Sequence, residues 1–155
     1  MTKLIGLKYS GYITKNRGAE IMEMTECINF LLTQAQQKVF KYLKSELDPF
    51  NVTPVQYGVL QCLWDEGTQT PKQIGSVLSL DGSTITGILD RLETKALLMR
   101  NNGRGDRRTI KVQLTEKGSE LREPIGKIIE EVNIKVLKQF SSEEKNQLKE
   151  FLKRI

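Results

Sequence analysis

Ser83, Thr84, Thr86, Gly87, Asp90 and Arg91 combine hydroxyls, a carboxylate, a guanidinium and a glycine within nine positions, a set suited to reading another molecule. Between them Ile85, Ile88, Leu89 and Leu92 recur at i, i+3, i+4 and i+7, which predicts one apolar stripe of a short helix. A turn of about 100° per residue then places Ser83, Thr86, Gly87 and Asp90 on the outer side, with Thr84 and Arg91 on the flank. Such a face is polar and low. It could lie in the major groove of duplex DNA and offer hydrogen bonds to base edges and phosphates. An ordinary amphipathic surface helix has the same pattern, so the helix alone leaves both readings open.

A second group of candidates follows. Arg104, Asp106, Arg107 and Arg108 lie in a Gly- and Asn-containing stretch, residues 101–108, that reads as the turn of a β-hairpin. Residues 109–114 alternate, with Ile110, Val112 and Leu114 on one side and Thr109, Lys111 and Gln113 on the other, which predicts a half-buried strand paired with residues 97–100. Arginines on such a tip suit the narrow, strongly negative minor groove. Asp106 is expected to bind a neighbouring arginine and shape the tip. A solvated loop that prevents edge association is the competing reading of the hairpin taken alone.

Together these residues carry a resemblance. Asp106-Arg107-Arg108, followed by Ile110, Val112, Leu114-Thr115 and Gly118, is similar to the wing signature of the MarR family of winged helix-turn-helix transcriptional regulators. Thr84-Ile85-Thr86 leading into Asp90-Arg91-Leu92-Glu93 resembles that family's recognition helix. The similarity extends over about residues 22–155, leaving residues 1–21 unmatched. It implies a mainly α fold with a small antiparallel β-wing, a homodimer built on the N- and C-terminal helices, and a regulator that is more often a repressor than an activator.

Charge points the same way. The 155 residues carry a net +5. Between Ser83 and Lys111 there are seven basic residues, Arg91, Lys95, Arg100, Arg104, Arg107, Arg108 and Lys111, against Asp90, Glu93 and Asp106, so most of the excess lies in the proposed reader. Enzymatic classes are disfavoured: the chain has no histidine, no glycine-rich phosphate loop and no carboxylate pair set among apolar residues. With no histidine and two distant cysteines, no metal site or cofactor is expected. No apolar run approaches the roughly 20 residues of a membrane span, and no signal-peptide core is visible, so a cytoplasmic protein is expected.

The elements that must position the reader follow from periodicity and caps. Residues 21–47 read as a first long helix with Ile28, Leu31, Leu32, Ala35, Val39, Tyr42 and Leu43 on its apolar side, stopped by Asp48-Pro49. Thr53-Pro54-Val55-Gln56 and Thr70-Pro71-Lys72-Gln73 are capping-box helix starts, the second opening a helix to about Ser79. Asp81-Gly82 reads as the turn before the recognition helix, and the residues around Gly67 as a short extended segment able to edge the wing. Thr115 is expected to cap a long helix with Leu121, Ile125, Ile128, Ile129, Val132, Val136 and Leu137 as a broad stripe, bent or started late by Pro124. Ser141 to Glu144 starts a last helix edged by Leu148, Phe151, Leu152 and Ile155.

The expected organisation is an N-terminal arm, residues 1–20, a dimerisation region, residues 21–52 and 115–155, and a DNA-binding region, residues 53–114, in one intertwined domain. The arm, basic and without periodicity, reads as a dimer strap or a plain extension. A two-fold dimer would match an inverted-repeat operator. The resemblance further implies a small phenolic or anionic effector held between the dimer helices and the reader, with Phe30, Gln34, Lys38, Tyr57, Trp64 and Met99 as candidates by position. Core packing is the alternative for each. Cys27 lies near the region where one branch of the family senses peroxides, but about two residues early, and an inert thiol competes with that role. A winged helix used only for protein contact remains the rival class. It would show an apolar recognition face.

Overall fold

The computed structural model describes residues 23–103 and 106–155, without the side chains of residues 102–108. The chain divides between Gln34 and Ala35 into two compact units. The helix expected from residue 21 starts later in the first unit, at Ile28, and α1 (Ile28–Leu47) has its residues from Ala35 onward in the second. Ahead of it the Glu26 N–H closes a turn on the Glu23 carbonyl at 2.9 Å, and the apolar periodicity indeed begins only at Ile28. Ile28, Leu31 and Leu32 are all exposed.

The second unit holds the rest. α1 ends in a 3-10 turn, Asp48–Phe50, where Pro49 removes a helical donor. The two expected capping boxes are present. Thr53 opens α2 (Pro54–Glu66) and Thr70 opens α3 (Pro71–Val77), each hydroxyl accepting from the N–H of a glutamine whose amide oxygen takes the threonine N–H. α3 stops two residues before the expected Ser79. There the Leu80 N–H reaches back to the Gly75 carbonyl at 2.8 Å while Ser79 takes a left-handed φ of 53°.

α4 (Gly82–Thr94) follows, then the hairpin of β1 (Leu98–Gly103) and β2 (Asp106–Leu114). The hairpin is longer than expected. Its ladder takes in Asn101 opposite Lys111 and Asn102 opposite Ile110, then shifts register before Gly103 meets Asp106. The asparagines, expected in the turn, extend the strand because their backbone groups find partners there. Burial of the alternating face fades along it: Val112 is fully buried and Leu114 half-buried, whereas Ile110 is 46% exposed. The extended segment expected near Gly67 is a single bridge, with Gln69 and Val112 exchanging backbone bonds at 3.1 and 2.7 Å.

The core lies among α2, α3, α4 and the hairpin, formed by Leu60, Leu63, Ile74, Leu89, Leu92, Leu98 and Val112. Ile85, Ile88, Leu89 and Leu92 all face inward as the periodicity requires. Beyond the wing the expected long helix is two. Thr115 caps α5 (Glu116–Glu120), and α6 (Arg122–Val136) begins after Leu121, with Pro124 in its first turn where a missing N–H costs little. Of the broad α6 stripe this unit buries Ile125 and Val132. The Ser141 capping box opens α7 (Ser142–Lys153), which buries no residue and leaves Phe151 and Leu152 exposed, as is Ile155 after it.

α4 ends on a Schellman motif, with the Leu97 N–H on the Leu92 carbonyl at 3.0 Å and the Ala96 N–H on the Glu93 carbonyl at 2.8 Å. The motif puts Ala96 at φ 56°, a region that costs an L-residue roughly 1–2 kcal/mol. Ala96→Gly is therefore expected to raise stability by about 0.5–1 kcal/mol after glycine's larger unfolded-state entropy is deducted. Urea unfolding at fixed protein concentration checks this; an unchanged or lower midpoint would contradict the strain.

Candidate nucleic-acid interface

α2, α3 and α4 with the hairpin are arranged so that one face of α4 has no cover. Ser83, Thr84, Thr86, Asp90 and Arg91 are exposed and Gly87 is half-exposed, as the helical spacing requires. A Cβ at Gly82 or at Gly87 would meet nothing within 4 Å. Packing within the protein thus makes no demand for glycine at either place. Their effect is to keep that face of the helix low.

The hydroxyls are not free. Asp81 is the N-cap of α4: its Oδ1 accepts from the Ser83 and Thr84 N–H groups, both at 2.9 Å, and from the Ser83 hydroxyl at 2.5 Å. Its Oδ2 accepts from the Thr84 hydroxyl at 2.7 Å. These bonds, the Ser83 hydroxyl's foremost, hold the Asp81 carboxyl well below the ordinary carboxylate range. Thr86 donates its hydroxyl to the Gly82 carbonyl at 2.7 Å. Asp81 was expected only as a turn residue, although an aspartate just before Ser-Thr at a helix start is an N-cap signal.

Asp90 does not stand free on the face either. Its Oδ1 takes Nη2 of Arg100 at 2.6 Å, while Glu93 takes the Arg100 backbone N–H and Nε, both at 3.0 Å, and Nη2 at 2.5 Å. Arg100, on β1, so ties the recognition helix to the wing. The Arg100 hydrogen bonds pull the Glu93 carboxyl below its usual value, and the two carboxylates raise the guanidinium further. Lys95 is likewise turned inward, its Nζ donating to the Asn51 carbonyl at 2.5 Å and to Gln56 Oε1 at 2.9 Å, with burial lowering its pKa. The expected seven-cation reader is thereby corrected. Lys95 and Arg100 direct most of their side-chain donors inside the protein, toward partners that the fold brings to them. Arg91 makes no hydrogen bond or ion pair with the described residues, and Lys111 is half-exposed. Arg104 lies outside the described residues, and Asp106, Arg107 and Arg108, with the expected aspartate–arginine pair, outside the described side chains.

Because Asp81 and Glu93 bind protons less readily folded than unfolded, they add stability that is complete above the ordinary carboxylate range. It is lost as the pH falls through that range toward their depressed folded values. The thermal midpoint should therefore drop between about pH 5 and pH 3, and a double variant, Asp81→Ser with Glu93→Gln, should drop less steeply. Parallel acid slopes would contradict the assignment.

The effector candidates fall in both units. Phe30 and Gln34 belong to the first unit, Lys38 is exposed on α1, and Met99 is exposed on β1, its sulfur accepting from Gln113 at 3.1 Å. Trp64 is a core residue, 7% exposed, with its indole N–H on the Gly118 carbonyl at 3.0 Å. Tyr57 packs against it with ring centres 6.4 Å apart. Tyr57 also lines a shallow depression of about 300 Å³ with Gln61, Cys62, Asp65, Val77 and Leu78. Cys62 is buried, and its thiol is pushed up by burial and then by Asp65. Cys27 is half-exposed immediately before α1.

A helix pair, α3 and α4, whose second helix presents a polar face beside a two-stranded hairpin is a winged helix-turn-helix. Comparison with known proteins narrows the class. The MarR family model matches residues 52–110. The organic hydroperoxide resistance transcriptional regulator of Bacillus subtilis is 36% identical over 102 residues, covering 66% of this chain and 69% of that protein. The HTH-type transcriptional regulator MhqR of the same bacterium is 31% identical over 130 residues, 81% of this chain and 86% of that one. A cysteine-to-serine mutant of MarR from E. coli, solved with operator DNA, superposes with a TM-score of 0.78 at 27% identity, over 86% of this chain and 98% of that one. The chain belongs to the MarR family of transcriptional regulators. No helix among the described residues is long and apolar enough to cross a membrane.

Proposed function

We propose that this protein is a cytoplasmic, sequence-specific repressor that binds a pseudo-palindromic operator in double-stranded DNA as a homodimer. The observation that carries the reading is the uncovered face of α4, polar throughout and kept low at Gly87 without any packing need. An apolar recognition face, expected of a protein-contact module, is not what α4 presents. In this reading Ser83, Thr84, Thr86, Gly87 and Arg91 meet the major groove, Asp90 holds the face in place through Arg100, and Arg104, Asp106, Arg107 and Arg108 form the wing tip at the minor groove. Residues 53–114 are the reader, and residues 21–52 and 115–155 the dimerisation region, with residues 1–20 as an arm. The exposed Phe151 and Leu152 of α7 with Ile155 beyond it, and separately Ile28, Leu31 and Leu32 of α1, supply the surplus apolar surface a dimer would cover. The relative solved with operator DNA supports the same partner.

Fluorescence anisotropy tests the proposal, using duplexes enriched from a randomised pool against scrambled ones. Wild type should prefer the enriched duplex, and Gly87→Phe should keep the fold yet lose binding by about tenfold or more, since a bulky side chain is then placed where the groove must approach. Equal, weak binding of all duplexes would overturn the reading. Control by a phenolic or anionic ligand, the release mechanism we favour, is read by adding such compounds to the same assay. Redox control through Cys27 is the second reading, supported by the similarity to a hydroperoxide resistance regulator and by the half-exposed thiol. Peroxide added to wild type and Cys27→Ser distinguishes it.

A further inference from the structure

The three hydroxyls of the α4 face share a polarity that sequence does not reveal. A carboxylate and a carbonyl oxygen can only accept, so the hydroxyls of Ser83, Thr84 and Thr86 must be the donors in their bonds to Asp81 and to the Gly82 carbonyl. Each hydroxyl has one proton, and in all three it is already engaged. What remains toward a partner is lone pairs. Phosphate oxygens are acceptors too, so these hydroxyls offer them nothing, and the Asp81 carboxylate adds like-charge repulsion at the same end of the helix. In the major groove the donors are the exocyclic amino groups, N6 of adenine and N4 of cytosine.

We propose that Asp81 is a specificity-determining residue: by holding the protons of Ser83 and Thr84, beside Thr86 held by Gly82, it turns the first turns of α4 into an acceptor surface that selects base amino groups. This deepens the DNA-binding reading and rests on it. Arg91 is the complementary donor farther along the helix, exposed and unengaged among the described residues. Asp81 acts through the hydroxyls, not by touching the base, and is in that sense a positioning residue.

The test uses the full chain and an enriched duplex in which single bases are replaced. Adenine is exchanged for purine and cytosine for 2-pyrimidinone, each of which lacks the amino group. In separate duplexes 7-deaza bases remove the N7 acceptor. Each duplex is titrated with wild type and with Asp81→Ser, which retains a capping side chain, helix content being checked by circular dichroism. At one or more positions per half-site, amino deletion should weaken wild type by about tenfold, a typical value for one base contact. For Asp81→Ser the same deletion should cost less than about threefold, and binding to scrambled DNA should tighten, because the freed protons can then meet phosphate. Wild type that tolerates every amino deletion while still preferring the enriched duplex would overturn the proposal and leave the DNA-binding reading standing. So would equal deletion penalties in wild type and Asp81→Ser. Wild type without preference for any duplex would remove the underlying reading itself.

Discussion

Gly118→Ala should unfold this protein at markedly lower temperature, by about 10 °C. Gly118 is buried in the short helix α5, and a Cβ built on it would lie 1.9 Å from the Leu97 carbonyl oxygen and 2.9 Å from the carbonyl carbon. Neither is a flexible side chain that could turn aside. The Leu97 oxygen also accepts the Thr115 N–H at 3.2 Å, and the Thr115 hydroxyl both caps α5 at the Gly118 N–H and donates to the Ala96 carbonyl at 2.7 Å. Relieving the clash therefore requires moving backbone at the junction of α4, β1 and α5. The Gly118 carbonyl moves with it, and the buried Trp64 indole N–H loses its acceptor. Overpacking against backbone costs about 3 kcal/mol, and an unsatisfied buried donor about 1 kcal/mol more. At roughly 2–4 °C per kcal/mol for a domain of this size, a shift near 10 °C follows. Calorimetry at one fixed protein concentration reads it, and a midpoint within about 2 °C of wild type would show that the junction yields easily.

The salt dependence of operator binding is expected to be the largest functional effect. A dimer that neutralises about 6–10 phosphates should lose about 10³–10⁵-fold in affinity between about 50 and 200 mM salt. The structure adds a sharper expectation about which cations contribute. Arg91→Ala, or Arg107→Ala, should lower the slope of log affinity against log salt by about 2 if each arginine meets one phosphate in both subunits. Arg100→Ala should leave that slope nearly unchanged, although the charge removed is the same. The Arg100 guanidinium is held by Asp90 and Glu93 within the protein, and its side chain is only 25% exposed. Losing it should instead cost about 1 kcal/mol of folding stability, as for a partly exposed ion-pair network, and loosen the link between recognition helix and wing. An Arg100→Ala slope that falls as far as that of Arg91→Ala would mean that the clamp opens on DNA and that Arg100 is a phosphate ligand.

Local patterns determined much of this molecule before any tertiary contact was known. The inward stripe Ile85, Ile88, Leu89 and Leu92, the capping boxes at Thr53, Thr70 and Ser141, and the outward set on α4 depend on neighbours within about four residues, so periodicity and cap chemistry suffice to locate them. The same local logic carried the family resemblance. Its limits appeared where local and distant partners compete. Asn101 and Asn102 favour turns by themselves but pair with β2, and Ile110 shares an alternating pattern with Val112 yet lies open.

Tertiary structure alone decided the electrostatics of the face. Lys95 is bonded to Asn51 and Gln56, 44 and 39 residues away, and no spacing rule reaches so far. Arg100 meets Asp90 and Glu93 only because β1 folds back along α4. Trp64, an effector candidate by position, is packed in the core, where the Gly118 carbonyl, 54 residues away, satisfies its indole N–H. A sequence states which charges a surface can have. Which of them face outward is set by the partners that folding supplies, since an N–H bonded inside the protein is not offered to DNA.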